Sequence, residues 1–104
     1  MSEVVVAGHI CLDVFPTLTG EMGPFIPGQT IEAGPVVFST GGPVSNTGLA
    51  LHRLGITTQL MGKVGDDLFG QAILHLLERR GPELARGMIV AAGAESSYSI
   101  ILST

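Results

Sequence analysis

A short polar segment, residues 39–46, contains the residues of this chain best suited to bind a small molecule. Gly41 and Gly42 allow unusual backbone angles and a close approach of the backbone to a ligand. Pro43 suits the first turn of a helix, where backbone N–H groups have no helical partner. Asn46, one turn later, carries an amide that both donates and accepts hydrogen bonds. This corner suits an anion or a polyhydroxylated small molecule, and it equally suits a strand-to-helix turn that needs its glycines for geometry alone.

Asp13 is the second candidate for ligand binding, because it is the only carboxylate in residues 4–20. It follows residues 3–8, a β-branched run that predicts a strand buried on both faces of a parallel sheet. Open α/β sheets bind ligands at the carboxyl ends of their strands, so Asp13 is expected to contact a ligand. A turn or capping aspartate is the alternative. His9 and Cys11 have no second Cys/His cluster nearby, and we expect no metal site there.

Apolar periodicity predicts the elements that position these residues. After the glycine pair it predicts a helix over residues 45–54, a strand over 57–64, a helix over 68–80, and strands over 88–92 and 97–103. Asp66 or Asp67 is well placed to cap the second helix. Strands that alternate with helices predict an α/β fold with a parallel sheet. Residues 15–34 hold three prolines and four glycines, which favours either a lid or an ordinary surface loop.

Composition excludes several classes of partner. Five Lys and Arg against nine Asp and Glu give a net charge of −4, so nucleic acid and anionic membranes are poor partners. No apolar run approaches the roughly 18 residues that span a bilayer, and Glu3 stands where a signal peptide would carry positive charge. We therefore expect a cytoplasmic protein. Hydrophobic residues make up 45% of the chain and charged residues 13%, so part of this surface is expected to be covered.

Four local motifs in order resemble the amino-terminal part of the ribokinase-like carbohydrate kinases, the PfkB family. They are Gly-His-Ile-Cys-Leu-Asp at 8–13, Pro-Gly-Gln-Thr at 27–30, Gly-Gly-x-x-x-Asn at 41–46, and Gly-Lys-Val-Gly-Asp-Asp-x-Phe-Gly at 62–70. Each is weak alone, but together they cover nearly the whole chain. Pro43 and Val44 replace the small or basic residues usual after the glycines, and Cys11 stands where ribokinase has asparagine, so the resemblance does not name the substrate.

The resemblance implies a ribokinase-like fold, a mostly parallel sheet with flanking helices and a small β lid, of which this chain holds the amino-terminal part. It implies core segments at about 1–12 and 41–93 and lid segments at about 13–40 and 96–104. Carried over residue by residue, it implies that Asp13 and Asn46 hydrogen-bond substrate hydroxyls, while Gly41 and Gly42 let the substrate lie against the backbone. Tyr98, on the second lid passage, either covers the sugar face or has a plain packing role.

The resemblance further implies an activity for a longer parent protein: transfer of the ATP γ-phosphate, assisted by Mg²⁺, to a hydroxyl of a sugar, nucleoside or related polyol. The family's catalytic aspartate, in a Gly-Ala-Gly-Asp-type turn, and its nucleotide site lie in the carboxyl-terminal part, and no such motif occurs here. We therefore expect no catalytic, nucleotide-binding or metal-binding residues in this chain, and no activity from it alone.

The sequence leaves one alternative to a kinase and excludes another. A non-catalytic sugar-binding or lid-mediated oligomerisation module remains the alternative, and lid strands often pair in this family, which is compatible with a homodimer. A dinucleotide-binding oxidoreductase is excluded, because no Gly-x-Gly-x-x-Gly follows the first strand.

Overall fold

A computed structural model describes residues 3–18 and 23–102, so the parts of the expected core and lid at 1–2, 19–22 and 103–104 lie outside the described residues. Within them the chain forms β1 (Val4–Ala7), β2 (Cys11–Pro16), β3 (Val36–Gly41), α1 (Gly42–Arg53), β4 (Thr58–Met61), β5 (Lys63–Gly65), α2 (Leu68–Arg80), a 3₁₀ turn (Pro82–Ala85), β6 (Ile89–Ala91) and β7 (Tyr98–Ile100). None of the helices in these ranges is long and apolar enough to cross a bilayer.

The described strands form three small sheets. β1 pairs with β4 and β5 pairs with β6, both in parallel. In the third sheet β2 lies in the middle, antiparallel to β3 and parallel to β7. Parallel pairing between strands that alternate with helices confirms the expected α/β class.

Both predicted helices are present, although α1 begins at Gly42, three residues before the predicted start at 45, and their ends have identifiable causes. α1 begins at Gly42, the second glycine of the pair, with Pro43 in its first turn, and the chain leaves it through Gly55 at φ +85°. The predicted bounds of α2 are confirmed at both ends. Asp67 is its N-cap, where one carboxylate oxygen accepts a hydrogen bond from the N–H of Gly70 at 2.8 Å.

Two strand predictions are corrected by the structure. The run 57–64, expected as one strand, is split at Gly62, where the chain leaves β1 as its partner and joins β6. A Cβ at Gly62 would lie 3.0 Å from Cγ2 of Ile10, so this crossing is tightly packed. Asp13 was expected where the first strand ends, but it lies within the separate strand β2, which the sequence did not predict.

The core lies between the helices and the strands that they cover. Its fully buried side chains are Leu12, Val44, Leu60, Ile73, Leu77 and Leu84, with Val64 and Ile10 nearly so. Gly48 of α1 faces Leu60 of β4 so closely that an added Cβ would overlap a leucine methyl group. The missing side chain therefore lets the first helix lie directly on the parallel strands.

The two faces of the three-stranded sheet differ in what covers them. Side chains alternate along each strand, and paired residues share a face. Leu12 is fully buried on the face toward α2, and Tyr98, which is paired with it, packs on Phe69 of that helix. Asp13, one residue along, therefore lies on the opposite face.

Candidate functional site

The candidate site is built on the corner where β3 becomes α1. Gly42 has φ +87°, in the left-handed region that favours glycine. A Cβ there would also lie 2.8 Å from the carbonyl oxygen of His9, which accepts a hydrogen bond from the N–H of Val44 at 3.1 Å. The start of α1 is thus held against the bend between β1 and β2. Only glycine fits at position 42, for both its backbone angle and its space.

Gly41 serves a different purpose, because its missing side chain makes room for Asp13. A Cβ at Gly41 would be 2.9 Å from the carboxyl carbon of Asp13 and 3.0 Å from Oδ1. Cys11 pairs with Gly41 and Asp13 pairs with Ser39, so the carboxylate leans diagonally across the β2–β3 pair toward Gly41, the last residue of β3. The half-buried acid is therefore fixed at the mouth of the glycine corner.

Cys11 supplies a hydrogen bond to that carboxylate. Its Sγ donates to Oδ1 of Asp13 at 3.5 Å. The pKa of the thiol is raised, first by its burial, then by the hydrogen bond to Asp13 and by the negative charge of Asp13. The thiol therefore stays protonated near neutral pH, which makes it a donor rather than a nucleophile.

Strand register adds a polar row that the sequence did not reveal. Asp13 is paired with Ser39 on one side and with Ser99 on the other, so three polar residues lie side by side on one face of the sheet. Ser39 and Ser99 are both exposed. The carboxylate of Asp13 accepts hydrogen bonds, and the two serine hydroxyl groups beside it both donate and accept, so the row can pair with several hydroxyl groups of one molecule.

Asn46 lines a cavity of about 340 Å³ beside this row. The cavity lies between β3, α1 and the end of α2, and its polar lining includes Ser39, Thr40, Ser45, Asn46, Arg53 and Arg80. Asp13 is not part of that lining. Ser39 connects the two regions, because it is paired with Asp13 and also lines the cavity.

The structure brings some of the residues predicted from the sequence together and leaves others apart. Asp13, Gly41 and Gly42 meet at one corner, whereas Asn46 lines the cavity that includes Ser39 but not Asp13. Tyr98 lies on the opposite face of the sheet, with its ring centroid 4.8 Å from that of Phe69. This contact matches the packing role left open for Tyr98 and gives no support to a role over the sugar.

Ser39 and Ser99 were not singled out by sequence reasoning, and the reason is specific. Whether either serine lies on the same face as Asp13 depends on which residues of the strands are paired. The sequence does not show this pairing, because a long segment separates β2 from β3.

Among residues 3–18 and 23–102, no three His, Cys, Asp or Glu side chains lie close enough together to hold a metal ion.

Solved structures with the same architecture place this fold among ribokinase-like kinases. Ribokinase from Giardia lamblia superimposes with a TM-score of 0.74 at 25% identity, over 98% of this chain and 32% of that one. Ribokinase from Cryptococcus neoformans var. grubii serotype A in complex with ADP gives a TM-score of 0.67 at 26% identity, over 99% of this chain and 31% of that one. The expected ribokinase-like fold is confirmed.

Sequence comparison gives the family. The pfkB family carbohydrate kinase profile matches residues 1–102, and the chain belongs to this family, whose members phosphorylate sugars. Fructokinase-1 from Oryza sativa subsp. japonica is 32% identical over 101 residues, which are 96% of this chain and 29% of that protein. The chain therefore spans about three tenths of the length of this relative.

Proposed function

We propose that this chain supplies the acceptor-binding half of an ATP-dependent kinase that phosphorylates a hydroxyl of a sugar, nucleoside or related polyol. The observation that carries the proposal is the carboxylate of Asp13, held against Gly41 at the start of α1. A carboxylate accepts hydrogen bonds from hydroxyl groups, and a buried partner left unpaired by the wrong molecule lowers the affinity for that molecule. Membership of a sugar kinase family supports the same substrate class.

Each site residue has a distinct role in this proposal. Asp13 accepts a hydrogen bond from a substrate hydroxyl, while the thiol of Cys11 holds one carboxylate oxygen in place. Gly41 and Gly42 let the substrate approach the backbone at the corner. Asn46 donates to and accepts from a second hydroxyl across the cavity that begins at Ser39. Together they fix which hydroxyl group faces the phosphate donor.

The phosphate donor in this proposal is ATP with Mg²⁺, which supply the γ-phosphoryl group and neutralise its charge. A related ribokinase forms a complex with ADP, which supports a purine nucleotide as donor. We assign no residue of this chain to the nucleotide, to Mg²⁺ or to removal of the hydroxyl proton. The whole protein is proposed to supply those groups from its remaining length.

A homodimer formed through the three-stranded sheet is proposed as well. Among the described strands β3 is an edge of that sheet, and Val36, Val37 and Phe38 on it are exposed. Unpaired edges with apolar side chains favour pairing with a second strand. Light scattering of the full-length protein tests this, with a monomer mass as the contrary result.

The kinase proposal is tested in the full-length protein by Asp13→Ala and Asn46→Ala, with Glu78→Ala on the exposed side of α2 as a control. Loss of a hydrogen bond to a charged group costs about 1.5 to 3 kcal/mol, so kcat/KM for the best sugar should fall about 10- to 150-fold in Asp13→Ala. Unchanged kinetics in both site variants would refute the site. A wild-type protein that binds sugar but transfers no phosphate from ATP would favour the non-catalytic module.

A further inference from the structure

The carboxylate of Asp67 joins two segments that lie far apart in the sequence. Its Oδ1 accepts hydrogen bonds from the N–H of Gly70 at 2.8 Å and from the hydroxyl of Ser96 at 2.6 Å. Its Oδ2 accepts a hydrogen bond from the N–H of Ser96 at 2.9 Å. The same hydroxyl accepts a hydrogen bond from the N–H of Gly65 at 2.9 Å. Capping of α2 uses one of these bonds, and the others hold Ser96.

Asp66 makes a second attachment to the same loop. Both of its carboxylate oxygens lie 3.1 Å from the N–H of Gly93, which donates to them. Gly93 has φ +72°, so the turn is one that glycine adopts without strain. The two neighbouring aspartates therefore hold the two ends of residues 93–96.

Two glycines of the motif at 62–70 make this contact close enough to form. A Cβ at Gly65 would lie 2.7 Å from the carbonyl carbon of Ala94. A Cβ at Gly70 would lie 2.9 Å from Oγ of Ser96. The glycines of this motif leave space for the loop before β7, and the aspartates form hydrogen bonds to that loop.

Ser96, which Asp67 binds, lies just before β7, the strand that pairs with β2 beside Asp13. The N–H of Leu12 donates to the carbonyl of Ser97 at 3.0 Å, Asp13 is paired with Ser99, and the N–H of Ile101 donates to the carbonyl of Val14 at 2.8 Å. β7 has only three residues, and all three are exposed. Apart from the ring of Tyr98 on Phe69, little packing fixes the register of β7, and a slip of one residue would turn Ser99 to the other face.

We propose that Asp67 is a positioning residue for the acceptor site: by fixing Ser96 it sets the register of β7 beside β2, and so the positions of Ser99 and Asp13. This inference rests on the proposed function, because it assigns Asp67 an effect on the sugar. It also goes beyond helix capping, which would need only the bond to Gly70.

Asp67→Ser separates the two roles of this carboxylate in the full-length protein. Serine is a good N-cap and keeps an acceptor for the N–H of Gly70, but its side chain is too short to reach Ser96 as well. Ser96→Ala removes the hydroxyl from the other side. Glu95→Ser is the matched control, since Glu95 is an exposed acid of the same loop for which the described residues show no hydrogen bond.

We expect Asp67→Ser and Ser96→Ala to raise the KM for sugar about tenfold, with the KM for ATP within about twofold of the wild type. Hydrogen exchange at the amides of Leu12 and Ile101 should become about tenfold faster, while the amides of α2 keep their protection. Glu95→Ser should change none of these values.

Unchanged exchange at Leu12 and Ile101 in Asp67→Ser would overturn the inference, as would faster exchange with an unchanged KM for sugar. Faster hydrogen exchange throughout α2 would show that Asp67 acts only as a helix cap, and this result would also overturn the inference. If the wild-type protein phosphorylates no sugar, nucleoside or polyol, the proposed function fails by itself. The exchange rates then still decide whether Asp67 sets the register of β7.

Discussion

Asp13 and Gly41 are in contact across the β2–β3 pair, with the carboxyl carbon of Asp13 2.9 Å from where a Cβ of residue 41 would stand. The glycine is therefore part of the binding site without presenting a functional group of its own. Its role is to leave space for an acid at the start of a helix.

Gly41→Ala in the full-length protein should displace the carboxylate of Asp13. The added methyl group would overlap it, and forced overlaps in packed regions cost about 1 to 3 kcal/mol. We expect the KM for sugar to rise about tenfold or more while the KM for ATP stays near the wild-type value. Initial-rate kinetics measure both, and Gly23→Ala, which has open space around it, is the control. An unchanged KM for sugar would contradict the contact.

Gly42→Ala should lower stability by combining backbone strain with a collision against the carbonyl of His9. Gly28→Ala is the matched control, because Gly28 has φ +79° but no atom within 4 Å of its added Cβ. In Gly28→Ala only the backbone strain of the positive φ should lower the free energy of unfolding, by about 1 to 3 kcal/mol. Thermal or denaturant unfolding of the full-length protein should therefore show a larger loss for Gly42→Ala. Equal losses would mean that the collision relaxes without cost.

The thiol of Cys11 should react slowly with iodoacetamide at pH 8. Burial and the neighbouring carboxylate raise its pKa above the ordinary value of 9.0, so little thiolate is present at that pH. The alkylation rate should keep rising as the pH passes 9, and a bound sugar should slow it. Mass spectrometry follows the modified fraction. A rate that levels off below pH 8.5 would be contrary to this arrangement.

Asp67 should make stability fall in acid. Hydrogen bonds from the hydroxyl of Ser96, the N–H of Ser96 and the N–H of Gly70 lower its pKa below the ordinary value of 3.8. A carboxyl with a lowered pKa in the folded state stabilises the protein fully above its unfolded pKa, and this contribution is lost as the pH falls through the folded value. The difference in unfolding free energy between the wild type and Asp67→Asn should therefore shrink below about pH 4. A difference that stays constant from pH 6 to pH 2 would contradict it.

The sequence by itself determined the elements whose causes are local. Apolar residues at helical spacing predicted the bounds of α2. The glycine pair with Pro43 predicted a turn into a helix, though the predicted helix began three residues late, and Asp67 was one of two predicted caps. The motifs also identified the family, because their order and spacing can be read from the sequence without knowing which residues are in contact. Each of these features depends on residues a few positions apart, so the printed sequence contains its physical cause.

Only the tertiary structure decided which residues share a face. Ser39 and Ser99 flank Asp13 because β3 and β7 pair with β2 in one register, and the same register turns Tyr98 toward Phe69. Asp67 reaches Ser96 across 29 positions of sequence. Side chains in a strand alternate with a period of two, so a shift of one residue exchanges the faces, and no local pattern in this chain fixes that shift.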